Sequence, residues 1–286
     1  MSSLNWVRGI NATLGWVAPH AVASKMRREF MTPRDLPPRS WELPLLGSAE
    51  RITLRFGLSA LRWGSGPAVL LMHGWEGRPT QFAALIEALI RAGYAVVALD
   101  GPAHGRSPGQ EASVVLFARA VLEAAGELPP LKAVIGHSMG GASVLLATQL
   151  GLRSEAVVTI GTPSRILTVL RQFARFMALP PLARAHFVRL VEQHAGMPAA
   201  HLDVTRYQLD MRGLVIHAAD DTMVPASEAE RIHENWFDSR LLLLESGGHH
   251  RVLGDPRVVS AVMELLEEQA GARGTTLRQD AFFQAR

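Results

Sequence analysis

The sequence predicts an α/β fold with a mainly parallel sheet and helices on both faces. Three observations point there: strand-length apolar runs alternate with stretches of helical spacing, the central runs are apolar throughout, and one of them leads directly into a glycine-flanked serine and a helix. Ile52, Leu54 and Phe56 alternate with polar residues, as a half-exposed strand does, whereas Ala68–Met72 is continuously apolar and reads as a buried strand. Gln81–Arg91 is helical by spacing, Ala95–Leu99 a strand, Ala112–Ala125 helical, Leu131–Ile135 a strand, Gly141–Leu150 a helix of small residues, and Ala156–Ile160 a strand again. The alternation stops at Thr162-Pro163 and resumes at Leu214–Ile216. Between them two helical patterns, Ile166 to Met177 and Phe187 to His194, flank Pro180-Pro181, so residues 164–211 are expected to form a helical lid inserted between two strands. Leu241–Leu244 as a strand and Val258–Leu266 as a helix complete a core assigned to 46–163 and 212–271, followed by a tail over 272–286.

Residues 1–45 stand apart as an N-terminal helical segment and connector. Leu4, Val7, Ile10, Leu14 and Val17 recur at three- and four-residue spacing up to Pro19, the stripe of a short amphipathic helix, and Lys25, Arg27, Arg28 and Phe30 follow. Two readings stay open for this helix: it docks on the protein's own body, or it lies against a membrane surface or a partner through residues 1–30. Pro33, Pro37, Pro38 and Pro44 predict a connector over 31–48 without regular structure.

Composition removes several classes of function. With 48% hydrophobic and 19% charged residues, the 286-residue chain is globular. Zero cysteines exclude disulfides, cysteine-ligated metals and a cysteine nucleophile. The 29 basic against 26 acidic residues leave +3, too little for a phosphate-tracking surface, so no nucleic-acid partner is expected. No run approaches the roughly 18 apolar residues of a membrane span, and no leader pattern opens the chain, so a cytoplasmic location is expected.

The residues that carry chemistry begin at Gly136-His137-Ser138-Met139-Gly140-Gly141, between the strand Leu131–Ile135 and the small-residue helix. A strand that reverses into a helix this tightly crowds its corner, so glycine is needed two positions either side of the serine, and the turn lifts Oγ above the sheet edge at a helix N-terminus. Ser138 is therefore the candidate nucleophile. Such a hydroxyl needs a base and an orienting acid. Downstream, the strand Leu214–His217 ends in Asp220-Asp221, either of which could accept from an imidazole; Asp220 is equally a turn or cap residue. After Leu241–Leu244, Gly247-Gly248 precede His249-His250 and let the loop bend a ring back over the sheet; His249 follows the glycines directly, with His250 as its neighbour. For the developing oxyanion, the backbone N–H groups of Trp75, in the His73-Gly74-Trp75 loop, and of Met139 are the candidate donors, and His73 is expected to buttress that loop. Phe173, Met177, Phe187 and Leu190 would suit an apolar acyl pocket, though their spacing is equally that of core residues.

From about residue 50 to 270 the chain resembles the α/β-hydrolase superfamily, through His73-Gly74-Trp75, Asp100 to Ser107, Gly136 to Gly140, Asp221 to Pro225 and Gly248-His249. The stretch His73 to Gln81 further resembles a bacterial, esterase/lipase-like branch of single-domain hydrolases. The resemblance implies a mostly parallel eight-stranded sheet, chain order serine–acid–histidine, Asp221 as the acid from its D-x-x-V-P spacing, and a turn after the fourth strand shaped by His104 and Gly105. It implies a carboxylic-ester hydrolase that uses no cofactor or metal and takes a small-molecule acyl ester. Thioesterases, amidases, lysophospholipases and carbon–carbon bond hydrolases share the same triad, and a non-catalytic ligand-binding homologue is the reading from another class. Epoxide hydrolases and haloalkane dehalogenases of this fold carry a carboxylate where Ser138 stands.

Overall fold

The apolar runs pair into one sheet, and their two faces sort the helices. The computed structural model describes residues 3–268; the tail expected over 272–286 lies outside the described residues. Eight strands, β1 (Glu50–Thr53), β2 (Ser59–Trp63), β3 (Ala68–Met72), β4 (Ala95–Leu99), β5 (Leu131–His137), β6 (Ala156–Ile160), β7 (Arg212–Ala218) and β8 (Ser239–Leu244), run in the order β1-β2-β4-β3-β5-β6-β7-β8. β2 is antiparallel to both β1 and β4, and every pairing from β4 to β8 is parallel. The helices are α1 (Ser3–Val17), α2 (Pro19–Met31), α3 (Leu43–Gly47), α4 (Ala83–Arg91), α5 (Val114–Glu127), α6 (Met139–Gln149), α7 (Ile166–Phe176), α8 (Pro181–Ala195), α9 (Ser227–Glu234), α10 (Gly248–Arg251) and α11 over 256–268.

Alternation along the strands builds two cores. Leu70 and Met72 of β3, with Val134 and Val157, pack against Phe117 and Val121 of α5, Val144 and Leu145 of α6 and Ile232 of α9. Val69 and Leu71, with Ile135 and Ile216, face Leu85, Ile86 and Leu89 of α4 and Val258 and Val262 of α11. Burial on both faces explains why β3, β5 and β6 read as continuous apolar runs.

A third cluster lies outside the sheet. Between β6 and β7 the chain forms α7 and α8, broken where Pro181 opens the second helix. Val22, Met26 and Met31 of α2 pack there with Leu170, Ala174, Met177 and Phe187. The N-terminal helices therefore dock on this insertion, and the buried Asn11 amide of α1 donates to the Met177 carbonyl at 3.0 Å.

The structure departs from expectation in three places. The sequence does not predict β2, because Ser-Ala-Leu-Arg-Trp shows neither strict alternation nor a continuous apolar run; cross-strand pairing sets it, with Arg62 on Glu50 at 2.6 Å. Phe56 belongs to no strand: its φ of 57° makes it part of the turn between β1 and β2. The Pro-rich connector is not wholly irregular, since α3 forms within it. Buried Glu42 anchors that segment, accepting from the Arg39 backbone N–H, from Arg78 at 2.8 Å and from the Thr80 hydroxyl at 3.1 Å. Removing one member of such a buried network leaves the other groups unpaired. Glu42→Ala is expected to lower unfolding stability by about 3 kcal/mol, measured by urea denaturation; a loss below about 1 kcal/mol would show that the anchor is dispensable.

Candidate active site

The loops that follow β3, β5, β6, β7 and β8 converge at the carboxyl edge of the sheet, where open α/β folds place their ligands. At the end of β5, Ser138 adopts φ 53° and ψ −121°, a conformation that costs a non-glycine residue roughly 1–3 kcal/mol. Its neighbours make the corner sterically exclusive. A Cβ at Gly140 would meet the Met72 and His73 carbonyl oxygens, and one at Gly136 would press on Gly141 of α6. The corner is fixed by the Ser138 N–H, which donates to the Ile160 carbonyl of β6 at 2.8 Å.

Ser138 Oγ lies 2.8 Å from His249 Nε2, and His249 Nδ1 lies 2.7 Å from Asp221 Oδ2. Because the carboxylate only accepts, Nδ1 carries the hydrogen, and in the neutral ring Nε2 faces the serine hydroxyl as an acceptor. Asp221 Oδ1 accepts from the Met223 and Val224 N–H groups at 2.8 and 2.9 Å, so both carboxylate oxygens are occupied. Burial alone would push this carboxyl up, but hydrogen bonds from His217, His249 and the Val224 N–H outweigh it and hold Asp221 well below the usual carboxylate range. The neighbouring Asp220 is exposed and points elsewhere: it accepts from the Gly248 N–H at 2.7 Å and ties the loop that carries His249. His250 is exposed and touches His249 edge-on, with ring centroids 5.1 Å apart.

The loop after β3 closes over the corner. A Cβ on Gly74 would stand 2.9 Å from Ser138 Cβ, so the backbone of this loop runs against Ser138. Among the described residues, the Trp75 and Met139 N–H groups donate to no protein acceptor, and Met139 opens α6, where the helix dipole favours negative charge. Two imidazoles hold this loop to the one after β4. His73 Nδ1 donates to the Gly74 carbonyl at 2.7 Å and its Nε2 accepts from the Gly101 N–H at 2.9 Å. His104 Nδ1 donates to the Pro102 carbonyl at 2.9 Å and its Nε2 accepts from the Glu76 N–H at 3.0 Å. Both rings must be neutral to act as acceptors; burial lowers the pKa of each, that of His73 to about 3.

Of the apolar candidates, Met177 and Phe187 sit inside the cluster between α2 and the insertion, Phe187 without exposure, and Phe173 and Leu190 lie at its half-buried margin. Three contacts of this site escape sequence reasoning. His137 Nε2 donates to the His249 carbonyl at 2.8 Å from beneath the loop. His217 Nε2 faces the Val224 carbonyl at 2.9 Å and Asp221 Oδ2 at 3.4 Å. Phe30 of α2 stacks on Trp75 at 6.3 Å and touches Phe173 at 4.8 Å, joining the N-terminal helices to the loop beside Ser138. His137 had a signal, since it occupies the variable position before the serine; Phe30 had none.

Burial, then the charge of His249, lowers the His137 pKa to about 3. In the unfolded chain this ring titrates near 6.5, so its contribution to stability is complete above about pH 6.5 and is lost as the pH falls towards 3. Wild-type stability is expected to drop between pH 6.5 and 5 by about 1 kcal/mol more per pH unit than that of His137→Gln, read from denaturation at each pH. Parallel pH profiles would show that the ring is not held neutral.

Comparison with known proteins agrees with this architecture. Residues 69–262 match the model of the alpha/beta hydrolase family. A pimeloyl-[acyl-carrier protein] methyl ester esterase of Xylella fastidiosa is 26% identical over 245 residues, covering 70% of this chain and 95% of that one. Protein phosphatase methylesterase 1 of Pongo abelii is 36% identical over 125 residues, covering 38% of this chain and 32% of its own. Among solved structures, an esterase of Pyrococcus furiosus superposes with a TM-score of 0.61 at 21% identity, covering 83% of this chain and 97% of that one. Mouse alpha/beta hydrolase domain-containing protein 10 gives 0.61 at 16% identity, covering 79% and 99%. The chain belongs to the alpha/beta hydrolase family.

Proposed function

We propose that the protein is a serine hydrolase that cleaves carboxylic esters through an acyl-enzyme on Ser138. The observation that carries the reading is the unbroken relay from Ser138 Oγ through His249 to Asp221, with contacts of 2.8 and 2.7 Å. In this mechanism His249 Nε2 removes the hydroxyl proton as Oγ adds to the ester carbonyl. The Trp75 and Met139 N–H groups receive the oxyanion, each worth about 3–4 kcal/mol of transition-state stabilisation. His249 then returns the proton to the departing alcohol, and the acyl group stays on Oγ. A water deprotonated by the same nitrogen attacks the acyl-enzyme and releases the acid. Asp221 keeps His249 in the Nδ1–H form and stabilises its charged state. Two curated relatives are named for methyl ester cleavage, which supports an ester with a small alcohol group. Phe173 and Leu190, on the half-buried margin of the insertion, are proposed to face the acyl group; Met177 and Phe187 behind them would set that surface.

Hydrolysis of a p-nitrophenyl ester series tests the assignment. Ser138→Ala is expected to lose at least about a thousandfold in kcat/KM, and Asp221→Asn and His249→Ala to lose orders of magnitude. Asp220→Asn and His250→Ala are expected to stay within about tenfold of wild type. Activity that survives Ser138→Ala would remove the nucleophile from its role, and a larger loss in the Asp220 or His250 variant would reassign the acid or the base.

A further inference from the structure

Among the described residues, the outer face of α1 has no partner. Its inner side is firmly docked: Asn11 bonds to Met177, Gly15 lies against Pro180 and Ala183, and Arg8 sits over the Phe176 ring at 5.5 Å. On the opposite side Trp6, Trp16 and Val17 are 68%, 71% and 85% exposed, with Leu14 beside them. The two tryptophans are ten residues apart, about 15 Å along the helix axis. Phe176 and Leu182 of the insertion are also exposed, so the apolar surface continues from α1 onto α7 and α8.

Charge follows the same elements. Residues 1–31 and 164–196 together hold nine Lys or Arg (Lys25 among them) against the two acids Glu29 and Glu192, so they carry a net +7 in a chain whose total is only +3. The rest of the chain is therefore acidic, and the imbalance is confined to the N-terminal helices and the insertion on which they pack. Lys25, Arg28, Arg171, Arg175 and Arg189 are exposed, and α1 contains no acidic residue.

From this juxtaposition we propose that α1 and the adjoining insertion form a docking face for an anionic lipid bilayer. Tryptophan suits the headgroup layer because its ring is apolar and its N–H polar, and the exposed arginine and lysine side chains of α2, α7 and α8 gain from the negative surface potential. Side chains so exposed form a ridge, which a fluid headgroup layer can admit, whereas a folded partner must present a groove to receive it. No described helix is long and apolar enough to cross a membrane, so the contact lies in the surface plane. The inference is independent of the chemistry assigned to Ser138.

Co-sedimentation of the full chain with phosphatidylcholine vesicles, with and without phosphatidylglycerol, tests it. Binding is expected only with phosphatidylglycerol and should weaken as salt is raised. The double variant Trp6→Ser/Trp16→Ser is expected to bind at least about tenfold more weakly, with its thermal unfolding unchanged because both side chains are exposed. Arg171→Glu/Arg175→Glu should show a similar loss. Absence of binding to phosphatidylglycerol vesicles, or binding that the tryptophan variant leaves intact, would overturn the proposal. So would capture by an acidic polypeptide such as polyglutamate with none by vesicles, which would assign the face to an acidic protein.

Discussion

The backbone corner at Ser138 is the constraint on which the rest of the site depends. A serine with φ 53° and ψ −121° is held away from its preferred conformations, and only the surrounding packing keeps it there. That packing comes from every direction: β6 accepts its N–H, the carbonyls at the end of β3 leave room for nothing larger than Gly140, and α6 begins at the next residue. The same crowding that strains the serine aims Oγ at His249 and leaves the Met139 N–H free at a helix N-terminus. The backbone strain, the Ser138–His249 contact and the unpaired Met139 N–H are thus one local geometry viewed from three atoms.

Around this corner, buried imidazoles organise the loops. His73 and His104 join the loops after β3 and β4, His137 holds the backbone of His249, and His217 faces the carboxylate of Asp221. His73 and His104 each use a definite tautomer, because a ring nitrogen next to a carbonyl must donate and one next to an N–H must accept. Burial lowers the pKa of His73, His104 and His137, so the scaffold is intact when these rings are neutral and is exposed to acid. Asp221 behaves oppositely: four donors converge on it and keep it ionised where an unpaired buried carboxyl would not be.

Much of this was legible in the sequence where local pattern and three-dimensional environment coincide. β3, β5 and β6 are buried on both faces and therefore read as continuous apolar runs, and the glycines around Ser138 are demanded by a steric corner that spacing alone reveals. The eight-strand count and the preference for Asp221 over Asp220 rested on resemblance, since both aspartates follow the same strand; the structure separates them by turning one towards His249 and the other towards Gly248. What stayed hidden depends on contacts between distant segments. β2 exists because β1 and β4 flank it, α3 because Glu42 meets Arg78 and Thr80, and the place of Phe30 beside Trp75 because α2 docks on the insertion. No window of neighbouring residues contains that information.

The N-terminal helices connect the loop beside Ser138 to the outer surface of the insertion. Through Phe30 they reach the loop that overlies Ser138, and through α1 they present two tryptophans outwards. The proposed chemistry nevertheless turns on one hydroxyl, that of Ser138, being reactive. The most direct measurement is covalent labelling by a fluorophosphonate ester with the adduct located by peptide mass spectrometry. The account predicts a single adduct on Ser138, formed rapidly by the wild type and slowed by at least about a hundredfold in His249→Ala. An adduct on another residue, or equal labelling with and without the imidazole, would contradict it.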